Sequence, residues 1–238
     1  MLDLGQNKNF VDAGDLLLDD ISNNREEIFE RISEHVTNFV SKGARVLSLG
    51  GDHSITYPII AGAYAKYYSE SNTPLTILQF DAHPDLYHHF QSNPFSHASS
   101  FARIMEMKAA SRLIQVGVRT INQHQREQAD KFGAEVVSME DLDQRSPDAI
   151  RAAIRTIRGP VYISVDLDAL DPAFAPGVSH HEPGGLTTRQ VIQLIHCLQA
   201  PVVGADIVEY NPERDINGIT SMVAAKLLKE IAARMLSK

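Results

Sequence analysis

A short stretch of ionisable residues follows an apolar run in the first half of the sequence. Asp81, His83 and Asp85 alternate with other residues in "DAHPDLY", directly after "LTILQF". In an extended chain alternate side chains share a face, so the three groups would converge if that geometry continues past the apolar run. Two carboxylates and an imidazole on one face favour a divalent cation, because unpaired charges that lose hydration are costly. The alternative is an exposed turn in which no metal is needed and Pro84 simply ends the strand.

Other apolar runs are also followed by residues that can bind metals. "ARVLSLG" precedes "GDHS", which carries His53, and "PVYISV" precedes "DLDALDP", which carries Asp166 and Asp168. In open α/β sheets ligands bind beyond the carboxyl ends of the strands, so we expect these side chains to meet at one rim. Four carboxylates and two imidazoles are too many for one ion and suit two, the candidate ligands being His53, Asp81, His83, Asp85, Asp166 and Asp168.

The chemistry of this donor set favours manganese. It contains no thiolate, which argues against structural zinc, and mixed oxygen and nitrogen ligation suits Mn²⁺ best. Two such ions roughly 3.5–4 Å apart can hold a bridging water and lower its pKa, which is equipment for hydrolysis. The residues therefore predict a hydrolase with two Mn²⁺ per chain, and a pair of purely structural metal sites is the alternative.

Short apolar runs alternate with amphipathic segments along the chain and must position these residues. Strands are predicted at 44–50, 75–80, 112–118, 134–138, 160–167 and 201–209. Helices are predicted at 24–42 and 187–199, the first with Asn24 and Glu27 as a candidate capping box, and in the C-terminal segment. This alternation predicts an α/β fold, a three-layer sandwich whose mostly parallel central sheet is flanked by helices.

Composition limits the classes of protein to which the chain can belong. Its 238 residues, 43% hydrophobic and 22% charged, suit one domain over 1–238 with a sizeable core. The net charge of -8 disfavours nucleic acid and anionic membranes and fits a small cationic substrate. The single cysteine, Cys197, predicts a reducing, cytoplasmic compartment. Neither a signal peptide nor an apolar run of about 20 residues is evident.

Three segments resemble the signature blocks of the ureohydrolase family, which holds arginases and agmatinases: "GGDHS", "DAHPD" and "SVDLDALDPAFAPG". The similarity runs from "DAGDL" to the C-terminal helix. "FSHASSFARIME" and "GADIVEYNPERD" are most similar to plant-type arginases and bacterial agmatinase-like relatives. The resemblance implies a binuclear manganese enzyme that hydrolyses a guanidinium C–N bond to release urea. It also implies a homo-oligomer, a trimer or a hexamer.

The resemblance assigns roles to individual residues. The six candidate ligands all fall on the family's metal-ligand positions. Glu209 falls on the family's carboxylate that binds the guanidinium, a planar cation that pairs well with a carboxylate. His97 falls on a loop histidine that passes protons to the leaving amine, although an exposed loop residue is the alternative. Asp85 would take the proton from the water.

Neighbouring polar residues are assigned supporting or local roles. Asp171 and Asp206 are expected to orient ligands. Glu182 is expected to shape a turn. His180 and His181 are expected to be loop histidines, and a position of these two near the mouth of the pocket is left open.

Two departures from the family bear on function. The chain begins almost at the family's "D-x-G-D" segment, so the family's first strand and helix are expected to be lacking. Tyr87 stands where animal-type arginases place an Asn that holds the amino-acid part of arginine, which favours agmatine as substrate and Tyr87 as a substrate contact. Plant-type arginases also lack that Asn. The alternatives to an agmatinase are an arginase and an inactive metal-binding homologue that acts as a scaffold.

Overall fold

The computed structural model describes residues 3–18, 21, 24–65, 73–144 and 147–237. The strands in this part of the chain are β1 (Val46–Leu49), β2 (Thr76–Phe80), β3 (Arg112–Val118), β4 (Glu135–Ser138), β5 (Val161–Asp166) and β6 (Val202–Val208). The helices there are α1 (Arg25–Val40), α2 (Thr56–Pro58, continued by π-helical turns over Ile59–Tyr64), α3 (Ser100–Glu106), α4 (Gln123–Phe132), α5 (Met139–Gln144), α6 (Pro147–Arg155), α7 (Thr188–Cys197) and α8 (Ile219–Leu236).

The strands form a single parallel sheet in the order β1-β6-β5-β2-β3-β4. All six predicted strands are confirmed, with ends that differ by no more than two residues. Parallel strands end at the same edge, so the loops after β1, β2, β5 and β6 emerge side by side. These are the loops that carry the candidate ligands and Glu209.

Successive residues of the central strands enter two different cores, one on each face of the sheet. Leu78 and Phe80 of β2 pack with β5, β6, α6, α7 and α8. Ile77, between them, packs on the opposite face with α1, the π-helical turns, α3 and α4. Burial on both faces explains why β2 and β5 are mostly apolar, since every residue of both strands is buried. The predicted three-layer α/β sandwich is confirmed.

Local sequence signals mark the ends of several helices. The side chain of Asn24 accepts a hydrogen bond from the backbone N–H of Glu27, as predicted for the start of α1. Thr187 and Gln190 form a reciprocal capping box at the start of α7. Gly133 ends α4 in the left-handed conformation, with φ 64°. Within the described ranges no helix combines the length and apolar character needed to span a membrane.

Candidate metal centre

His53 lies at the centre of the candidate site. It starts a 3₁₀ turn, His53–Ile55, whose N-terminus is capped by Asp52. The His53 ring is buried, and its Nδ1 lies 3.1 Å from Asp81 Oδ2, 3.0 Å from Asp85 Oδ2 and 3.2 Å from Asp166 Oδ2. Three strand ends that are distant in sequence therefore meet at one nitrogen.

Asp81 joins two groups of potential ligands. His53, Asp81 and Asp166 form one, and Asp81, His83 and Asp168 form the other, each with ligand atoms within 4.8 Å of one another. His83 Nδ1 lies 3.6 Å from Asp81 Oδ1 and 3.2 Å from Asp168 Oδ2. The two oxygens of Asp81 thus face different histidines, the arrangement that a carboxylate bridging two ions requires.

The loop that carries Asp81, His83 and Asp85 is not extended as the alternation predicted. β2 ends at Phe80, and Asp85 adopts φ 50°, in the left-handed region that residues other than glycine rarely occupy. The three side chains nevertheless converge, because the loop turns back toward His53. Strained backbone of this kind persists where the surrounding structure holds it, and it is frequent at functional sites.

Crowding shifts the protonation of these groups. Burial, together with the charge of Asp81, raises the pKa of Asp85 to about 7. Burial also raises the pKa of Asp166, which lies beside Asp168 and Asp81. Burial opposes the charged form of His83, but its contacts with Asp168 and Asp81 raise its pKa to about 12. The cluster therefore needs protons or cations to balance its carboxylates.

The geometry around His53 fits a metal ion. Burial opposes the charged form of His53, but its contacts with Asp166, Asp81 and Asp85 raise its pKa well above the ordinary value, and a cation can take the place of that proton. Among the residues that the structure describes, the Nδ1 of His53 has no hydrogen-bond partner of good geometry, although it is buried and has three carboxylate oxygens within 3.2 Å. An imidazole nitrogen that accepts nothing and donates to nothing is costly unless a cation binds its lone pair. The donor set, rich in oxygen with two imidazoles, has the chemistry of a manganese site.

A buried network orients the other nitrogen of His53. Its Nε2 lies 2.9 Å from Ser164 Oγ, which donates to Asp206 Oδ1 at 2.6 Å. Thr56 and Tyr162 also donate to Asp206, both at 2.8 Å. Metal-binding histidines are commonly held in this way through their second nitrogen. Asp206 therefore has the orienting position expected of it, acting through Ser164.

Asp171 has a different role from the one expected. Its carboxylate accepts hydrogen bonds from the backbone N–H groups of Ala173, Gly184 and Gly185. These bonds close the loop between β5 and α7 upon itself, and the hydrogen bonds of Asp171 reach no candidate ligand. The expectation that Asp171 orients a ligand is wrong, because its position after the 3₁₀ turn Leu167–Ala169 turns it toward the loop.

Glu209 lies beside the ligand cluster at the end of β6. Its Oε1 accepts a hydrogen bond of 2.9 Å from the backbone N–H of His53, and its own N–H donates to Gly51 O at 2.8 Å. It adopts φ 64°, the second strained position at this site. Burial raises the pKa of Glu209, while the bond from His53 acts in the opposite direction.

His97 and Tyr87 lie on the loop that follows β2. The His97 ring is half-buried and stacks on His180, with ring centroids 5.7 Å apart, and His180 in turn contacts the His83 ring at 6.3 Å. Burial lowers the pKa of His97, and the nearby His180 acts in the same direction. The Tyr87 hydroxyl accepts a hydrogen bond of 2.6 Å from Asn122, so its polar end is already engaged.

Three residues near the centre have roles that the sequence did not reveal. His180 lies in a loop, as expected, and its ring also stacks on His97. Glu182 was expected only to shape a turn, but its carboxylate lies 3.6 Å from His83 Nε2. Arg119 was not singled out, yet its guanidinium donates to the backbone carbonyls of Gly117, Asp168, Ala169, Leu170 and Glu182. A lone arginine after a strand carries no local signal for such a role.

Comparison with known proteins agrees with this geometry. The model of the arginase family matches residues 2–233. The chain belongs to the arginase family. Arginase 1, mitochondrial, of Arabidopsis thaliana is 48% identical over 94% of this chain and 66% of its own length. The agmatinase of Bacillus subtilis is 31% identical over 94% of this chain and 74% of its own length.

Solved structures of the arginase family have the same fold. The arginase from Medicago truncatula matches with a TM-score of 0.81 at 45% identity, over 89% of this chain and 66% of that structure. A triple mutant of a T. brucei arginase-like protein, bound with Mn²⁺, matches with a TM-score of 0.79 at 28% identity, over 93% and 72%. The chain thus spans about two thirds of the length of the plant arginases that it matches.

Proposed function

We propose that this member of the arginase family hydrolyses the guanidinium C–N bond of a small cationic substrate and releases urea. The observation that carries the proposal is the position of Glu209. Its carboxylate hydrogen-bonds to the backbone of His53, whose side chain is the centre of the ligand cluster. A planar guanidinium pairs well with a carboxylate, so a substrate held by Glu209 would lie next to the cluster.

Two Mn²⁺ ions per chain are the proposed cofactor, held by His53, Asp81, His83, Asp85, Asp166 and Asp168. Support comes from the donor set, from the unsatisfied Nδ1 of His53 and from the Mn²⁺-bound T. brucei relative. When bound, such a pair supplies a water of lowered pKa as the nucleophile for hydrolysis.

The chain's own residues would bind the substrate and move protons. Glu209 binds the guanidinium and orients its carbon toward the ligand cluster. Asp85, at 3.0 Å from His53 Nδ1, is placed to accept the proton of the attacking water. His97 is the proposed donor to the leaving amine, and His180, stacked on it, holds its ring. Tyr87 is the proposed contact to the rest of the substrate.

Arginine is the proposed substrate, with agmatine as the second candidate. Tyr87 in place of an Asn favours agmatine, but plant-type arginases lack that Asn as well, so the position does not separate the two. Identity is 48% with the Arabidopsis arginase and 31% with the Bacillus agmatinase, and this difference supports arginine. Arginine carries an α-carboxylate that agmatine lacks, so the measured preference shows whether the chain binds that group.

Urea release by the purified, Mn²⁺-loaded protein tests the proposal, with arginine, agmatine and other guanidino compounds offered side by side. We expect release from arginine above all. Release from agmatine alone would mean that agmatine is the substrate, and the proposed reaction would stand. Absence of release from every compound, with two metal ions bound per chain, would overturn the proposed function and favour the scaffold alternative.

Assembly and location remain predictions. We propose a homo-oligomer, a trimer or a hexamer, from family resemblance, and light scattering of the purified protein measures it. We also propose a reducing, cytoplasmic compartment from the single cysteine. The Arabidopsis relative is named as mitochondrial, so fractionation of the source cells is the measurement that checks this location.

A further inference from the structure

Two glutamines lie buried directly before the loop that carries three of the candidate ligands. Gln79 is in β2 and Gln115 is in β3, and their Cα atoms are register partners in the sheet. Both side chains are completely inaccessible to solvent. An amide in a parallel sheet core is unusual because its polar atoms must all find partners there. Their presence in otherwise apolar strands calls for a reason other than packing.

The two amides form a chain of hydrogen bonds that ends on the ligand loop. Gln115 Nε2 donates to Gln79 Oε1 at 2.6 Å and to the carbonyl of Pro84 at 2.6 Å. Gln79 Nε2 donates to Asp81 Oδ2 at 2.7 Å and to the carbonyl of His83 at 3.4 Å. The pair therefore contacts the shared carboxylate and two peptide groups of the same turn.

The orientation of both amides follows from these partners. Gln79 must direct its NH₂ group at the carboxylate of Asp81, so its carbonyl oxygen faces Gln115. Gln115 must then direct its own NH₂ at that oxygen, and the same group reaches the carbonyl of Pro84. Flipping either amide would bring two oxygens together.

The pair also touches the strained part of the loop. The Pro84 carbonyl belongs to the peptide group that precedes Asp85, the residue with φ 50°. A donor fixed on this carbonyl restrains the peptide in the orientation that directs Asp85 toward His53. Gln115 thus acts on Asp85 through the backbone, and on Asp81 through Gln79.

This arrangement has a cost that packing alone does not explain. Gln115 Oε1 is buried and makes no hydrogen bond within the described part of the chain. An unsatisfied buried acceptor lowers the stability of the folded state. Methionine, similar in length and apolar, would fill the position without that cost, so a glutamine there is explained by what its NH₂ group holds.

We propose that Gln79 and Gln115 are positioning residues of the metal centre, which hold the carboxylate of Asp81 and the turn of Asp85 in the geometry that binds Mn²⁺. The proposal rests on the metal centre of the proposed function and not on its substrate. Both glutamines are completely buried and cannot reach a substrate, so they act only through the candidate ligands. Groups that orient metal ligands typically change metal affinity 10–100-fold when they are removed.

The test measures the Mn²⁺ dissociation constant of Gln115→Met by competition with a fluorescent chelator, at a temperature where the protein is fully folded. We expect binding to weaken at least tenfold. The melting temperature of the metal-free form falls whether the role is positioning or structural, because Gln79 Oε1 and the Pro84 carbonyl lose their donor. A purely structural glutamine would leave the affinity of the folded protein unchanged.

Gln128→Met is the matched control, since Gln128 is also buried but lies in α4, away from the ligand loop. We expect its Mn²⁺ affinity to stay within twofold of the parent. Gln79→Met is the second variant, and it should weaken binding at least as much because it removes the donor to Asp81. Unchanged affinity in both variants, or failure of both to fold, would overturn the proposal. A parent that binds Mn²⁺ but releases no urea would overturn only the proposed function.

Discussion

His53 links Glu209 to the ligand cluster through two different parts of one residue. Its backbone N–H donates to Glu209 Oε1 at 2.9 Å, and its side-chain Nδ1 lies 3.0–3.2 Å from three carboxylates. The His53 ring is buried and its Nε2 is held 2.9 Å from Ser164 Oγ, so the ring keeps one orientation relative to the backbone. The distance between the proposed substrate position at Glu209 and the candidate metal ligands is therefore set by His53 and the short turn that it begins.

Glu209→Gln should remove the charge that binds the guanidinium and keep an oxygen for the bond from His53. We expect kcat/KM for urea release to fall about 100-fold, equivalent to about 2.7 kcal/mol, because a buried cation would lose its partner. Mn²⁺ affinity should change little. Glu213→Gln, an exposed position on the following turn, is the control and should retain full activity. An active Glu209→Gln protein would exclude Glu209 as the guanidinium partner.

Asp85→Asn should reduce kcat severely and leave most of the fold intact. Proton transfer by a positioned side chain contributes about 10²–10⁴-fold to rate, and an amide cannot accept that proton. The measurement is turnover with full metal occupancy confirmed by elemental analysis, because Asp85 is also a proposed ligand. Asp130→Asn, exposed on α4, is the control. Turnover near that of the parent at full occupancy would show that another group takes the proton.

Chelation of the metal should lower the melting temperature. Four carboxylates crowd around two histidines in the cluster, and their repulsion is balanced when cations are bound. Binding at 100 times the dissociation constant stabilises the folded state by about 2.7 kcal/mol, and for a chain of this size that corresponds to about 5–10 °C. Calorimetry before and after EDTA, and again after Mn²⁺ is restored, measures it. Equal melting temperatures in all three states would contradict a metal centre.

Arg119→Met should destabilise the fold through the loop behind Asp168. The Arg119 guanidinium donates to several backbone carbonyls, including those of Asp168 at 2.7 Å and Glu182. Leaving several partly buried carbonyls without a donor should lower the free energy of unfolding by about 3 kcal/mol. Urea denaturation measures the loss, and Arg126→Met, exposed on α4, is the control. Equal stability of the two variants would show that water replaces the guanidinium at no cost.

The ion pair of Arg112 and Glu135 joins β3 to the edge strand β4. It should make the free energy of unfolding depend on pH in the acid range. Arg112 Nε and a terminal nitrogen lie 2.5 and 2.8 Å from the two oxygens of Glu135. The bonds from Arg112 lower the pKa of Glu135 in the folded state. The contribution of the pair to the free energy of unfolding is therefore complete above the unfolded-state pKa of Glu135, about 4.3, and is lost as the pH falls through the folded-state pKa.

Glu135→Gln should therefore cost less than about 1 kcal/mol at pH 7, because half of the Glu135 side chain is exposed and water screens the pair. The difference from the parent should shrink as pH falls below about 4.3. Denaturation of both proteins across this range measures it. A difference that grows toward acid would mean that the sign of the coupling is wrong.

Much of the fold could be predicted from local pattern. The run from Arg112 to Val118 was predicted with the observed bounds, because a strand buried on both faces is mostly apolar and its ends are marked by polar residues. Ligand types were also predictable, since His53, Asp81 and Asp166 each follow such a run. Asp171 was misjudged because neighbouring aspartates look alike in sequence, and only the path of the loop decides which one faces the site.

The sequence by itself determined the strands, the parallel sheet and the types of ligand at its rim, because periodicity and strand-end position are local properties. Only the tertiary structure decided that the two oxygens of Asp81 face different histidines, and that Arg119 holds the loop of Asp168. The tertiary structure also decided that Gln79 and Gln115 lie side by side beneath the ligands. These contacts join strands that are dozens of residues apart, and the register that brings them together is set by packing of the whole sheet.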